Sequence, residues 1–135
     1  MADSVDIKSS KKSRNFDNYS YAKLNDCPTS PRKMRLVADM VRGKSVSVAL
    51  NLLKFCPKEA ATRVEKLLLS AITNWQNQFP DLDVESSSLV ISDIFVGSGP
   101  MLKRLRPAPQ GRAHRIRKRS NHVTLYVASL TSNTL

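Results

Sequence analysis

Eight of the chain's 22 lysines and arginines fall between Lys103 and Arg119, in the run KRLRPAPQGRAHRIRKR. From Ile94 to Leu135 there is no Asp or Glu at all. Residues 1 to 93 carry 14 basic and 11 acidic side chains, net +3, so the remaining +8 of the formal charge of +11 belongs to the last 42 residues. Cations at this density repel one another until something neutralises them, and phosphate does so with a gain from counterion release. The chemistry these residues offer is polyanion binding, with nucleic acid as the leading partner.

The make-up of the block narrows the kind of recognition. Arginine outnumbers lysine six to two, which suits bidentate phosphate contacts and guanidinium stacking in folded RNA. No Phe, Tyr or Trp lies between Val96 and Leu125, and readers of unstacked bases usually present such rings. Backbone and shape are therefore the expected targets. His114, set among arginines, reads as one more phosphate contact.

Enzymatic readings find little support. Gly43-Lys44-Ser45 matches the end of a phosphate-binding P-loop, but the earlier glycine would fall at Ala38, and a helix precedes it where a strand is needed. Gly97-x-Gly99 lacks the third glycine of a dinucleotide fingerprint, since Leu102 stands there. His114 and His122 could serve as acid and base in RNA cleavage, yet the nearest acidic residue in sequence is Asp93. Cys27 and Cys56 each precede a proline and form no spaced metal cluster. No cofactor and no metal is implied. The rival from another class is an architectural DNA-binding protein with an arginine-bearing β-ribbon arm.

The elements around the block decide whether it is a tail or an arm. At 135 residues the chain has length for one domain. No apolar run approaches the roughly 20 residues that cross a bilayer, and the N-terminus lacks a signal-peptide core, so the reading is intracellular with no membrane partner. Residues 1–18 read as a flexible N-terminal extension and residues 19–135 as a single domain. A short strand is expected over Tyr19 to Leu24. Ser30 before Pro31 marks a helix start, and Met34, Val37, Ala38 and Val41 recur at helical spacing until Gly43. A second helix is expected over Val46 to Phe55, ended by Cys56-Pro57. The third runs from Lys58 to Gln78, with Ala60, Ala61, Val64, Leu67, Leu68, Ala71, Ile72 and Trp75 along one stripe.

Leu89 to Val96 and Val123 to Val127 read as strands. They bracket the basic block, which makes it the outer part of a long hairpin over about 89–128. Only Met101, Leu102, Leu105 and Ile116 are large apolar residues between Gly97 and Asn121, so the arm cannot build a core of its own. Its glycines and prolines predict a bent arm with an irregular tip. Two limbs of some ten residues would reach on the order of 30 Å, a ribbon that is marginal alone in water.

Three stretches carry a family resemblance: SPRKMRLVADMVRGKSV at Ser30 to Val46, the helix KEAATRVEKLLLSAITNW, and GPMLKRLRPAPQGRAHRIRKRSNHVTLYV. Together they closely resemble the universal large-subunit ribosomal protein L-twenty-two family, bacterial type, over about Tyr21 to Ala128. The resemblance implies an α+β fold, three helices packed on a small three-stranded antiparallel sheet, with a long protruding basic β-hairpin threaded into large-subunit ribosomal RNA. It implies an architectural and assembly role without catalysis. By motif, Ser30, Pro31, Arg32, Lys33 and Arg35 would be body contacts to RNA. Lys103, Arg104, Arg106, Gly111, Arg112, Arg115, Arg117, Lys118 and Arg119 would be hairpin contacts. Leu102, Lys103, Arg104, Leu105, Arg106 and Pro107 would form a tip lining the nascent-polypeptide tunnel, near ribosomal protein L-four. The chain departs from the common family pattern at Gly97-Ser98-Gly99-Pro100 and at Pro107-Ala108-Pro109-Gln110, where it loses one tip-proximal cation and gains a proline.

Overall fold

A computed structural model describes residues 16–130. In chain order the elements are β1 (Phe16–Cys27), α1 (Pro31–Val41), α2 (Val46–Phe55), α3 (Glu59–Gln78), β2 (Leu89–Pro107), a 3₁₀ turn (Pro109–Gly111) and β3 (Ala113–Leu130). The strands form one antiparallel sheet in the order β1-β3-β2, with the helices supplying most of the core that covers its inner face. This is the expected α+β arrangement. No helix among the described residues is long and apolar enough to cross a membrane.

The helices fall where their patterns put them. Pro31 opens α1, where its missing N–H costs nothing and its fixed φ is already helical. Gly43, at φ 75°, takes the left-handed turn that follows. Its N–H does not close back on the helix but donates to Ile91 O at 2.9 Å, while Ile91 N–H donates to Lys44 O at 3.0 Å. The end of α1 is thus stitched to the outer edge of β2. Along α3, Ala60, Ala61, Val64, Leu67, Leu68, Ala71 and Trp75 are buried, and Ile72 lies half-buried at the margin. The Trp75 indole N–H donates to Asn18 O at 2.9 Å, so the largest core side chain also fastens β1.

The strands are longer than their apolar patterns suggest. β1 begins at Phe16, inside the stretch assigned to the N-terminal extension, and runs to Cys27; residues 1–15 of that extension lie outside the described residues. Extra residues are accommodated in bulges at Asp17/Ser20 and Leu24/Cys27. Asn18 and Asp26 take positive φ there, as their short polar side chains allow. Alternation failed to reveal these ends because bulges shift the period of two.

β2 and β3 stay paired far beyond the core. The ladder continues from Met101↔Arg119 through Pro107↔Ala113 without a further shift, after one bulge between Ser98 and Met101. Pro100 falls in that bulge, where its missing N–H removes no regular ladder bond. The expected irregular tip is instead a closed turn: Ala108 N–H donates to Arg112 O at 2.8 Å, and Gln110 and Gly111 sit at φ 64° and 70°. Pro109 pre-sets the turn and Gly111 completes it, so proline and glycine here shape the reversal rather than disorder it.

Since the core cluster draws on the helices and on β2 and β3 only as far out as Val96 and Val123, the body does not need the arm to fold. Removing Leu102 to Ala113 is expected to leave a single cooperative thermal unfolding transition. Calorimetry of the shortened chain checks this, and loss of cooperativity would contradict the division into body and arm.

Candidate nucleic-acid interface

Pairing register sorts the arm's side chains onto two faces, because residues directly opposite in a ladder point the same way. Met101, Lys103, Leu105, Arg115, Arg117 and Arg119 share one face; Leu102, Arg104, Arg106, His114, Ile116 and Lys118 share the other. Both faces carry cations, and every residue from Met101 to Pro107 and from Pro109 to Arg119 is exposed. Arg115, Arg117 and Arg119 form a row along β3, and Lys103 lies opposite Arg117. Like charges in those positions destabilise an isolated ribbon. Among the described residues the ion pairs are Asp39–Arg42 and Glu59–Arg63, His122 Nε2 lies 3.9 Å from the Asp26 carboxylate, and no arm cation has such a partner. The arm therefore presents uncompensated charge on two sides, which suits insertion between phosphate backbones.

Exposed apolar side chains alternate with those cations. Leu105 is 70% exposed and Leu102 58%, too open to support the arm internally. The residues expected at the tip, Leu102 to Pro107, form the outer part of the first limb; the turn itself is Ala108 to Arg112. Gly111 is needed at the turn for its positive φ.

The body residues of the motif come close to the arm's base. Ser30, at the N-cap position of α1, makes no side-chain cap bond. It lines a hollow of about 510 Å³ with Asp26, Pro28, Pro100, Leu102 and Lys118. Arg32 and Lys33 are exposed on the first turn. Arg35 is exposed as well, and its guanidinium donates to Val96 O at 3.3 Å, tying α1 to β2. Pro31 is buried, so its part is to start the helix rather than to offer a contact. The structure thus gathers Ser30 with the arm's base and leaves the outer cations, Arg104 to Arg117, standing away from the body.

A junction that the sequence did not reveal holds the arm to the body. Asn121, fully buried, donates from Nδ2 to Thr29 O at 2.7 Å and to Thr29 Oγ1 at 2.8 Å. One step along β3, His122 Nδ1 accepts from Asp26 N–H at 3.1 Å. Ser120 Oγ donates to the carbonyl of Pro100. Gly99 is required beside them, because a Cβ there would lie 2.6 Å from Ser120 Oγ and 3.3 Å from the Ser120 carbonyl carbon. The clue was available: Asn121 occupies the inward position that Val123, Leu125 and Val127 fill with apolar groups, and an inward Asn demands partners. His122 is engaged in this junction while His114 stands eight residues out along the same strand, on the order of 26 Å away. The two cannot act as an acid–base pair on one bond.

A compact α+β body that carries an uncompensated cationic β-ribbon defines a class: proteins that place an arm inside a polyanion. Comparison with known sequences makes it particular. The family model for Ribosomal protein L22p/L17e matches residues 22–128, and the chain belongs to that family. The protein called large ribosomal subunit protein uL22 in Flavobacterium psychrophilum is 62% identical over 113 residues, covering 84% of this chain and 82% of the relative. Its counterpart in Christiangramia forsetii is 64% identical over 110 residues, 82% of each chain. That of Bacteroides fragilis is 58% identical over 127 residues, covering 94% of this chain and 93% of its own.

Asn121→Ala removes both bonds to Thr29 and leaves its half-buried carbonyl and hydroxyl without that donor, an expected loss of about 1–3 kcal/mol. Chemical denaturation should show this as a lower midpoint with an unchanged slope. A midpoint equal to the parent's would mean that the junction does not hold the arm.

Proposed function

We propose that the protein is a structural constituent of the large ribosomal subunit, binding large-subunit ribosomal RNA and supporting subunit assembly in the cytoplasm. One observation carries the reading: eight exposed arm cations, seven on the two faces of a paired ribbon and Arg112 in its turn, have no carboxylate partner among the described residues. RNA phosphate supplies the missing counter-charge, and two opposed cationic faces fit a cleft between RNA helices better than a single flat surface. The names of the uL22 relatives, each a large ribosomal subunit protein, support the same reading.

The residues in named roles follow from position. Lys103, Arg104, Arg106, Arg112, His114, Arg115, Arg117, Lys118 and Arg119 contact phosphates along the arm, with Gly111 shaping the turn. Ser30, Arg32, Lys33 and Arg35 contact RNA where the body meets the arm's base, with Pro31 setting the helix that presents them. The outer limb, Leu102 to Pro107, lines the nascent-polypeptide tunnel beside ribosomal protein L-four. The family resemblance supports this placement. The role is architectural, with one domain over residues 19–135 and no bond made or broken.

Salt dependence tests the phosphate reading. If all eight cations of Lys103 to Arg119 touch phosphates, the arm contributes a log-log salt slope approaching about −6, at roughly 0.7 per contact. The shortened chain lacks Lys103, Arg104, Arg106 and Arg112, so its slope on deproteinised large-subunit RNA should be shallower than the full chain's by about 2.8, four contacts at roughly 0.7 each. A difference near zero, or a protein that sediments apart from the large subunit in lysate at physiological salt, would contradict the proposal.

A further inference from the structure

Away from the arm, β1 and α3 enclose a groove that the assigned role leaves unused. β1 is an edge strand, paired only with β3. The Tyr21 carbonyl accepts from Asn74 Nδ2 at 3.0 Å, so that edge faces α3, and alternation turns the Lys23 backbone groups the same way. Opposite them, α3 presents a stripe at helical spacing: Glu59, Arg63, Lys66, Ser70, Asn74 and Asn77. Two hollows of about 590 and 480 Å³ share Lys23 and Ser70 and so make one continuous trough.

The chemistry along this trough is selective. Glu59 is its one carboxylate, and that group is committed to Arg63 at 3.0 Å. Lys23 and Lys66 have no ion pair among the described residues. The remaining lining of Ser70, Asn74 and Asn77 offers hydroxyl and amide groups that serve phosphate oxygens and ribose hydroxyls. Beyond the β1 edge, on the sheet face turned away from α3, stands Tyr21, 51% exposed, with its ring 5.9 Å from that of Tyr126 and Lys23 Nζ 5.4 Å from its centre. An exposed ring beside a cation is the pairing that single-stranded nucleic acid uses, base on ring and phosphate on ammonium. Lys23 pairs with Thr124, five residues up β3 from Arg119, on the order of 17 Å from the arm's first cation. The trough is therefore a separate site.

We propose that the β1–α3 groove binds a single-stranded segment of RNA, with Lys23 and Lys66 on its phosphates and Tyr21 against a base where the segment crosses the β1 edge onto the outer sheet face. This rests on the reading that the protein is bound to ribosomal RNA, and it adds a second contact on the body, independent of the arm and of the Ser30 to Arg35 motif. The excess of free cations over free carboxylates favours RNA over an extended peptide adding to the β1 edge.

Filter binding of the full chain to deproteinised large-subunit RNA, across a series of salt concentrations, tests it. Lys23→Gln with Lys66→Gln should make the log-log slope shallower by about 1.4, two contacts at roughly 0.7 each. Tyr21→Leu should weaken binding at fixed salt while leaving the slope unchanged, and Lys54→Gln, outside the trough, should change neither. Circular dichroism confirms that each variant is folded, since all four side chains are exposed. A double lysine variant with parental slope and affinity overturns the groove proposal. If replacing Arg115, Arg117 and Arg119 by Gln still weakens binding in that case, the ribosomal reading stands without the groove; if it does not, both fall together.

Discussion

Charge repulsion along one ribbon sets the terms for the rest of this molecule. Three arginines in a row on β3, with Lys103 set opposite the middle one, cannot be relieved from within the described chain, because no arm cation finds a carboxylate there. The hydrogen-bond ladder from Met101↔Arg119 to Pro107↔Ala113 works against that repulsion with almost no apolar burial to help it. A two-stranded ribbon of this length is marginal in water even when neutral. Its order must come from its two ends and from the polyanion that surrounds it.

Both ends are built accordingly. At the outer end, Pro109, Gln110 and Gly111 close the reversal in five residues. At the inner end, Asn121 fastens β3 to the loop before α1, His122 fastens it to the end of β1, and Ser120 to the β2 bulge. The sheet that carries the ribbon is itself secured along both edges. Asn74 and Trp75 bond the carbonyls of Tyr21 and Asn18 on β1, while Arg42, Gly43 and Lys44 bond those of Ile94 and Ile91 and the Ile91 N–H on β2. These bonds also blunt the edge strands against pairing with other chains. The same residues that stabilise the body thereby fix the direction in which the arm leaves it.

Much of this was legible from residue order. Pro31, Gly43 and Cys56-Pro57 punctuate the helices because proline and glycine restrict the backbone locally, and the stripe from Ala60 to Trp75 declares its buried face through a single period. Strands flanking an acid-free basic block identified an arm rather than a tail. What stayed hidden depends on contacts between distant residues. The ends of β1 lie in bulges at Asn18 and Asp26, which shift the alternation; the regular tip depends on a bond across the turn; and Arg35, read only as an RNA contact, also braces β2. Asn121 could have been found as a polar residue at an inward position, but Thr29 as its partner could not. The groove between β1 and α3 escaped notice because its α3 stripe is polar, and a polar stripe ordinarily reads as a solvated helix face.

Amide hydrogen exchange of the full chain, alone and bound to deproteinised large-subunit RNA, probes most directly whether the polyanion orders the arm. In the free protein, amides from Met101 to Arg119 should exchange far faster than those of α3 and of β3 beyond Val123. On binding RNA, the arm's amides should slow to rates approaching those of the body. Strong protection of the arm in free protein, or no change on binding, would contradict an arm ordered by the charge it enters.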